Sequence, residues 1–248
     1  MAITIKSPEQ IKKMRAAGDI LRRLDLVLQA EIKAGITTKE LDTIAEDFIR
    51  SNGAIPGFKG YGGFPGTLCI SVNEEVIHGI PGPRKLKDGD IVSIDMGSIV
   101  DGFYGDCART YGVGEISEAD KKLIEVTKQS FFEGIKYAKA GNHLYEISAA
   151  IQKYVESNGF SVVRDFVGHG IGRNLHEDPP VPNYKPMGRG VKLQKGMCLA
   201  VEPMVNAGGW KVKVLSDGWT TVTADGSRAA HYENSFCITD GEPEIFTL

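Results

Sequence analysis

Residues 91–108 read IVSIDMGSIVDGFYGDCA, and this stretch is typical of two strands joined by a tight turn. Ile91–Met96 is an apolar run of the kind found in buried strands, and Phe103–Ala108 is its expected partner. The Asp101-Gly102 pair between them is a strong signal for a two-residue hairpin turn. The sequence therefore predicts an antiparallel β-hairpin in the core of the protein.

The register of this hairpin places two acidic residues on one face. Pairing outward from the turn sets Gly97 opposite Asp106 and Asp95 opposite Ala108. The two aspartates are then diagonal neighbours, roughly 7–8 Å apart at the level of the backbone. Because an unpaired carboxylate is costly to bury, we expect a cation or a dense hydrogen-bond network beside them.

The second part of the chain repeats the first. Residues 34–53 align without a gap with residues 140–159, and each stretch opens with Ala-Gly and closes with Ser-Asn-Gly. Both read as amphipathic helices that end at an Asn-Gly C-cap. Residues 86–95 and 193–202 each run from Leu-x-x-Gly through an apolar stretch to a carboxylate. Chance explains any one of these matches, but three in register favour a duplication.

Ser7 and Ser117 mark equivalent starting points, because each precedes a long helical pattern as an N-cap. We therefore expect residues 1–248 to form a single domain with pseudo-repeat halves of about 1–112 and 113–248. Each half reads as helix, helix and then strands, which places the protein in the α+β class. Two such sheets can pack edge to edge around a shared cleft with helices on the outside, and clefts of this kind often hold sites.

The composition excludes several classes of protein. A chain of 248 residues with 42% hydrophobic content can bury a core, and a formal net charge of -3 lacks the basic surplus of nucleic-acid-binding proteins. The four cysteines include no C-x-x-C pair, and neither a signal-peptide pattern nor a run of eighteen apolar residues occurs. We expect a cytoplasmic protein without nucleic-acid specificity and without a membrane segment.

Three residues beyond the hairpin extend the set of metal-ligand candidates. His169 stands between glycines, Glu202 ends an apolar strand just before a proline, and Glu233 lies in an alternating segment. With the two aspartates they give one imidazole and four carboxylates, which suit a pair of divalent cations better than one tetrahedral zinc. His231 shares a face with Glu233, and we interpret it as support beside the ligands rather than as a ligand.

These residues fall within segments that resemble the type I methionine aminopeptidases, specifically the short bacterial form without an amino-terminal extension. The likeness runs nearly from end to end, and its motifs are specific through their joint order and spacing. The matching segments are Ser71-Val72-Asn73-Glu74, His78-Gly79-Ile80-Pro81, Asp95, Asp101-Gly102-Phe103, Gly105-Asp106, Gly168-His169-Gly170-Ile171-Gly172, His176-Glu177, Glu202-Pro203-Met204 and Glu233.

The resemblance implies the pita-bread fold, in which two pseudo-symmetric halves with outer helices surround a curved antiparallel sheet. It also implies a dinuclear centre with Asp106 and Glu233 bridging, Asp95 completing the shell of one ion, and His169 and Glu202 completing that of the other. The implied reaction is hydrolytic removal of the initiator methionine from nascent polypeptides whose second residue is small. The two divalent ions can be cobalt, manganese, iron, nickel or zinc, and the native metal stays open.

The same resemblance implies roles around the reacting bond. A water activated by the metals would attack the first peptide bond, with Glu202 as the proton shuttle. His78 and His176 are the expected donors to the substrate amide and to the oxyanion. The methionine side chain would enter a pocket whose aromatic and sulfur-containing lining suits a flexible thioether. The residues implied for that pocket are Tyr61, Phe64, Cys69, Leu175 and Trp219.

Three positions depart from the pattern of close relatives. Gly62 stands in place of a frequent histidine and Phe64 in place of a tyrosine, and both changes concern the rim of the pocket. Cys107 stands where a threonine is common, so we expect a hydroxyl that steadies Asp106 to be missing. None of the expected metal ligands is affected.

Three rival readings are weaker. A prolidase or aminopeptidase P usually carries an extra amino-terminal domain, which this chain is expected to lack. A catalytically silent peptide-binding module usually loses metal ligands, and a dinuclear phosphoesterase needs basic residues around its ligands; neither pattern matches this sequence. The expected partners are the N-terminal segments of nascent polypeptides, with a transient contact to the ribosome, and the protein is expected to be a monomer.

Overall fold

The computed structural model describes residues 3–248, so the first two residues of the predicted amino-terminal half lie outside the described range. Within that range the α-helices come in two pairs. The first pair is α1 (Pro8–Glu31) and α2 (Thr38–Ser51), and the second is α3 (Glu118–Ile135) and α4 (Leu144–Ser157). A short 3₁₀ turn covers Tyr61–Gly63.

The helices begin and end at the predicted signals. Ser7 caps α1 through a capping box, and the hydroxyl of Ser117 accepts a backbone N–H at 3.1 Å at the start of α3. Both α2 and α4 end at Asn-Gly, and Gly53 and Gly159 adopt left-handed backbone angles, with φ of 75° and 86°. The repeated sequence therefore produces repeated helix ends.

Antiparallel strands form four sheets within the described residues. Numbered along the chain, the strands are β1 (Ile55–Pro56), β2 (Leu68–Val72), β3 (Glu75–Ile77), β4 (Ile91–Val100), β5 (Phe103–Gly112), β6 (Ser161–Val162), β7 (Gly168–Gly170), β8 (Glu177–Val181), β9 (Cys198–Val201), β10 (Met204–Asn206), β11 (Val212–Val214), β12 (Thr221–Thr223), β13 (Ala229–His231), β14 (Asn234–Cys237) and β15 (Glu244–Ile245). The sheet of the first half has the order β1-β4-β2 with β5 beside β4, and the largest sheet of the second half has the order β15-β14-β9-β7-β8. The smaller sheets are β13-β10-β6 and β11-β12-β3.

The predicted hairpin is confirmed in position and in register. In β4 and β5, Asp95 lies opposite Ala108 and Gly97 lies opposite Asp106. The turn has positive φ at both central residues, 48° at Asp101 and 76° at the glycine after it, as a type I′ turn requires. The two aspartates therefore share one face of the hairpin.

Equivalent contacts recur in the two halves. The Gly35 amide donates to the Leu86 carbonyl at 2.8 Å, and the Gly141 amide donates to the Leu193 carbonyl at 2.9 Å. Each hydrogen bond links the residues just before the second helix of a pair, α2 or α4, to the residues that precede a sheet strand, β4 or β9. These contacts support our proposal that the chain is one domain whose halves divide near residues 112–113.

The halves are joined along the middle of β5, through contacts of residues 106–108 with residues 233–235 that we call the seam. Glu233 and Ala108 exchange backbone hydrogen bonds, with N···O distances of 3.0 and 3.4 Å. The Ser235 hydroxyl accepts from the Asp106 amide at 2.9 Å and donates to the Asp106 carbonyl at 2.6 Å. The seam thus holds Asp106 of the first half beside Glu233 of the second.

Separate hydrophobic cores lie beneath the two helix pairs. One core packs α1 and α2 on the first sheet and includes Leu41 and Ile94, whereas the other packs α3 and α4 and includes Phe131 and Leu199. The helices therefore cover the outside, and the sheets of the two halves meet on the inside. Within residues 3–248 no helix is long and apolar enough to cross a membrane.

Candidate active site

A cavity of about 130 Å³ lies where the two halves meet. Every residue predicted for the site from the sequence contributes to its lining. We call the carboxylate and imidazole residues expected to bind metal the donor wall, and the residues expected to hold the methionine side chain the apolar wall. The donor wall comprises Asp95, Asp106, His169, Glu202 and Glu233; the apolar wall comprises Tyr61, Phe64, Cys69, Leu175 and Trp219; and His78 and His176 complete the predicted set.

His169 is held as a neutral imidazole with one nitrogen directed into the donor wall. Its Nδ1 lies 3.0 Å from the Gly170 carbonyl, which makes Nδ1 the protonated atom and leaves the lone pair on Nε2. Nε2 lies 3.6 Å from one oxygen each of Asp106 and Glu202. Burial, with a smaller effect of His176, lowers the pKa of His169 to about 3. The ring is therefore ready to act as a metal ligand.

Gly170 is required for this arrangement, because β7 runs very close to the strand beside it. A Cβ atom on Gly170 would lie 2.2 Å from the backbone oxygen of Asp178. No side chain other than hydrogen fits there without a backbone shift. The glycines that flank His169 in the sequence therefore serve close strand packing, which fixes the position of the imidazole.

The carboxylates of the donor wall repel one another in a buried site. Burial raises the pKa of Asp95 to about 7 and that of Glu202 to about 8. Burial and then the neighbouring carboxylates raise the pKa values of Asp106 and Glu233 well above the ordinary range. Without cations, these acids would hold protons at neutral pH instead of ionising together.

Unpartnered polar atoms show that the donor wall fits divalent cations. Among the residues that the structure describes, one carboxylate oxygen each of Asp95, Asp106 and Glu233 is buried without a hydrogen-bond partner. Such atoms are rare in folded proteins, because a buried polar atom needs a partner. Bound cations would satisfy these oxygens and would offset the burial and the repulsion that raise the pKa values of their carboxyl groups.

The donor atoms form two overlapping groups within the described residues. Asp106, His169 and Glu233 make one group and Glu202, His231 and Glu233 make the other, and the donor atoms of each group lie within 4.8 Å of one another. Glu233 belongs to both groups. Asp95 stands outside these groups, but it lies close enough to Asp106 for its charge to add to burial in raising the pKa of the Asp106 carboxyl group. The structure brings the five predicted ligands together, whereas which ion each residue binds stays a prediction.

His78 occupies a strained position just after β3. Its φ of 59° is in the left-handed region that non-glycine residues rarely adopt, and such outliers are often found at functional sites. Burial and then the charges of His231 and His176 lower the pKa of His78 to about 4. The imidazole is therefore neutral near pH 7 and able to donate one hydrogen bond.

His176 is oriented by the apolar wall. The Tyr61 hydroxyl lies 2.7 Å from Nδ1 of His176, and the rings of His176 and His169 are 4.4 Å apart in an edge-to-face arrangement. Burial lowers the pKa of His176 and so favours the neutral ring; when the Tyr61 hydroxyl donates to Nδ1, that ring carries its proton on Nε2. That proton is available for a hydrogen bond in the cavity.

The apolar wall contains one residue beyond the predicted set. Phe64 and Trp219 pack edge to face with their ring centroids 5.1 Å apart, and Phe58 also lines the cavity. Phe58 lies in residues 57–66, a glycine-rich stretch that also supplies Tyr61 and Phe64. The recurrence of aromatic residues between those glycines was the signal that could have identified it.

One expectation about the departures from the family pattern is wrong. Cys107 is fully buried in the hydrophobic core beneath α1 and α2, because side chains alternate along β5 and its neighbour Asp106 faces the cavity. Its thiol therefore packs against the core, and a hydroxyl at this position would not steady the Asp106 carboxylate. Gly62 has φ of 55°, and a Cβ atom there would lie 3.4 Å from Trp219 at the rim of the apolar wall.

Comparison with known proteins agrees with this arrangement. The sequence model of metallopeptidase family M24 matches residues 12–240. The chain belongs to metallopeptidase family M24. Within M24, the methionine aminopeptidase of Clostridium perfringens is 59% identical over 246 residues, covering 99% of each chain. Methionine aminopeptidase 1 of Bacillus subtilis is 55% identical over 245 residues, again covering 99% of each.

Solved structures of M24 peptidases confirm the predicted pita-bread fold. The crystal structure of methionine aminopeptidase from Thermotoga maritima matches this chain with a TM-score of 0.97 at 48% identity, covering 99% of each chain. The prolidase from Pyrococcus furiosus matches with a TM-score of 0.81 at 22% identity and shares the fold alone. The predicted membership of the methionine aminopeptidases, rather than of the prolidases, is therefore confirmed.

Proposed function

We propose that this M24 peptidase removes the initiator methionine from polypeptides whose second residue is small. Two divalent ions would be held by the donor wall, with Asp106 and Glu233 bridging, Asp95 completing one shell, and His169 and Glu202 completing the other. The observation that carries the proposal is that buried, unpartnered carboxylate oxygens and an aromatic and sulfur-containing lining share one cavity. The high identity to methionine aminopeptidases over the whole chain supports it.

The apolar wall accounts for the choice of methionine. Phe64, Cys69 and Leu175 are at most 5% exposed, and Trp219 packs edge to face on Phe64. Methionine is flexible and its thioether makes favourable contacts with aromatic rings, so it suits a small lining of this type. We propose that these residues anchor the first side chain and thereby present the first peptide bond to the donor wall.

The residues around the reacting bond have distinct tasks. Bound ions would lower the pKa of a water molecule and polarise the peptide carbonyl. The Glu202 carboxylate lines the cavity beside the proposed ions, and we propose that it accepts a proton from the attacking water and passes it to the leaving amine. His176 donates from Nε2, because Tyr61 occupies Nδ1, and His78 donates as a second neutral imidazole to the amide or the developing oxyanion.

We also propose where and on what the protein acts. Its substrates are the N-terminal segments of nascent polypeptides, it works in the cytoplasm as a monomer, and its contact with the ribosome is transient. The formal net charge of -3 supports the absence of a nucleic-acid partner.

A peptide assay with defined metals tests the proposal. Protein freed of metal by chelation should be inactive, and cobalt, manganese, iron, nickel or zinc should restore release of methionine from Met-Ala-Ser. Met-Trp-Ser should be a poor substrate because its second residue is large, and Ala-Pro should not be cleaved. Cleavage of Ala-Pro in preference to Met-Ala-Ser would favour a prolidase, and no release with any metal would favour a silent binding module.

A further inference from the structure

His231 lies at the donor wall on a rigid support, although the sequence suggested only an auxiliary role for it. It ends β13 opposite Met204 of β10. Its backbone is clamped by Thr110, whose hydroxyl accepts from the His231 amide at 2.9 Å and donates to the His231 carbonyl at 2.8 Å. The residue is only 1% exposed. The imidazole is therefore held in one place with little freedom to turn towards solvent.

The Nε2 atom of His231 has no hydrogen-bond partner among the described residues. It lies 3.6 Å from an oxygen of Glu202 and 4.0 Å from an oxygen of Glu233. Both distances exceed the 2.7–3.2 Å of a normal hydrogen bond to a carboxylate. A buried polar atom left in this way needs a partner that the chain itself does not provide.

The spacing matches that of two ligands on one ion. Metal–nitrogen and metal–oxygen bonds are roughly 2.0–2.2 Å long, so two ligands of the same ion are separated by about 3.0–3.6 Å. The predicted ligand His169 shows the same spacing, because its Nε2 is 3.6 Å from one oxygen each of Asp106 and Glu202. The Glu202 carboxylate thus has one imidazole nitrogen 3.6 Å from each of its two oxygens, His169 at Oε1 and His231 at Oε2.

We propose that His231 is a sixth protein ligand of the dinuclear centre, binding one ion through Nε2 together with Glu202 and Glu233. This inference rests on the proposed metal centre and adds to it a ligand that the sequence motifs did not supply. This ion is the one whose shell His169 and Glu202 are proposed to complete, so it has two imidazoles and shares Glu233 with the other ion. A second imidazole raises the share of nitrogen ligands relative to carboxylate oxygens, and this favours zinc, cobalt, nickel or iron over manganese.

Counting the imidazoles bound to cobalt tests this proposal without reference to activity. X-ray absorption at the cobalt edge of the fully loaded protein should give two bound imidazoles per pair of ions. The ¹H NMR spectrum should show two strongly shifted exchangeable ring protons, one from each bound histidine. His231→Gln should remove one imidazole from the count, as should His169→Gln, while His78→Gln should leave two.

The affinity for metal gives a second measure. Loss of a partner beside a metal ligand commonly reduces metal affinity about 10–100-fold, and loss of a ligand itself should cost at least as much. His231→Gln should therefore weaken the binding of one ion by at least about 10-fold in calorimetric titrations with zinc, and weaken manganese binding less. The amide of glutamine can still hydrogen-bond to Glu202, so a purely supporting role for His231 would leave both measures near their wild-type values.

The outcomes separate this inference from the proposed function. One imidazole per pair of ions in the wild-type protein would overturn it, and this measurement does not depend on the folding of any variant. An unchanged imidazole count in His231→Gln would also overturn it, while leaving the five-ligand centre intact. Failure of the wild-type protein to bind divalent ions would instead overturn the proposed function itself.

Discussion

The two walls of the cavity are built in different ways. The donor wall stands on strands or directly beside them, with Asp95 on β4, Asp106 on β5 and His169 on β7. The apolar wall depends largely on connecting segments, such as residues 57–66 and the turn before Trp219. Paired strands fix side chains in a lattice of backbone hydrogen bonds, whereas loops can vary. We therefore expect changes in the donor wall to abolish function and changes in the apolar wall to retune it.

The largest effect is expected from Asp106→Asn in the donor wall. The amide removes a charge and a proposed bridging oxygen, so turnover should fall below about one-thousandth of the wild-type value, and metal content measured by mass spectrometry should fall by one ion. Asp101→Asn makes the same chemical change at the exposed hairpin turn, where asparagine is well tolerated, and should leave both quantities unchanged. Full activity with full metal content in Asp106→Asn would refute the bridging role.

His78 and His176, which line the cavity but are not proposed ligands, should affect rate more than metal binding. In His78→Ala and His176→Ala, loss of a donor to the reacting bond should reduce kcat about 10²–10³-fold while the metal content stays at the wild-type level. His143→Gln, at the start of α4 and away from the cavity, is the matched control. Loss of an ion in either alanine variant would move that histidine into the donor wall.

The apolar wall should show its effect in KM. Trp219→Ala removes the ring that packs on Phe64 and should raise KM for Met-Ala-Ser about 10-fold, with metal content and kcat close to wild type. The other tryptophan of the chain, Trp210, packs on Arg164 instead, so Trp210→Ala is the control. A loss of kcat with unchanged KM would contradict the division of labour between the walls.

The smallest effect is expected where the apolar wall contacts His176. Tyr61→Phe keeps the ring in the apolar wall but removes the hydroxyl that lies 2.7 Å from Nδ1 of His176. One neutral hydrogen bond contributes modestly, so kcat should fall about 3–10-fold with little change in KM. The exposed Tyr137 provides the control in Tyr137→Phe. A change confined to KM would mean that Tyr61 acts only through pocket shape.

The donor wall was more accessible to sequence reasoning than the apolar wall. Because side chains alternate along a strand and the Asp101-Gly102 turn sets the register, the relative placement of Asp95 and Asp106 followed from the sequence alone. The same alternation turns Cys107 away from the site, which is why the expectation of a missing supporting hydroxyl was wrong.

Loop geometry was not predictable in this way. The positive φ of His78 depends on contacts between distant segments, and no short sequence pattern encodes it. The proximity of His231 to Glu202 likewise depends on the pairing of β13 with β10, which joins residues distant in sequence. For the apolar wall, the resemblance to a family carried information that spacing and periodicity did not.

The seam has a consequence for the origin of this architecture. Asp95 and Asp106 come from before the proposed division of the chain, whereas His169, Glu202 and Glu233 come from after it. Neither half alone offers enough ligands to hold a pair of ions, and the backbone exchange between Ala108 and Glu233 is what brings the two sets together. A half-length ancestor would have needed a second copy of itself to build such a centre, which makes a symmetric dimer the natural forerunner of the fused protein.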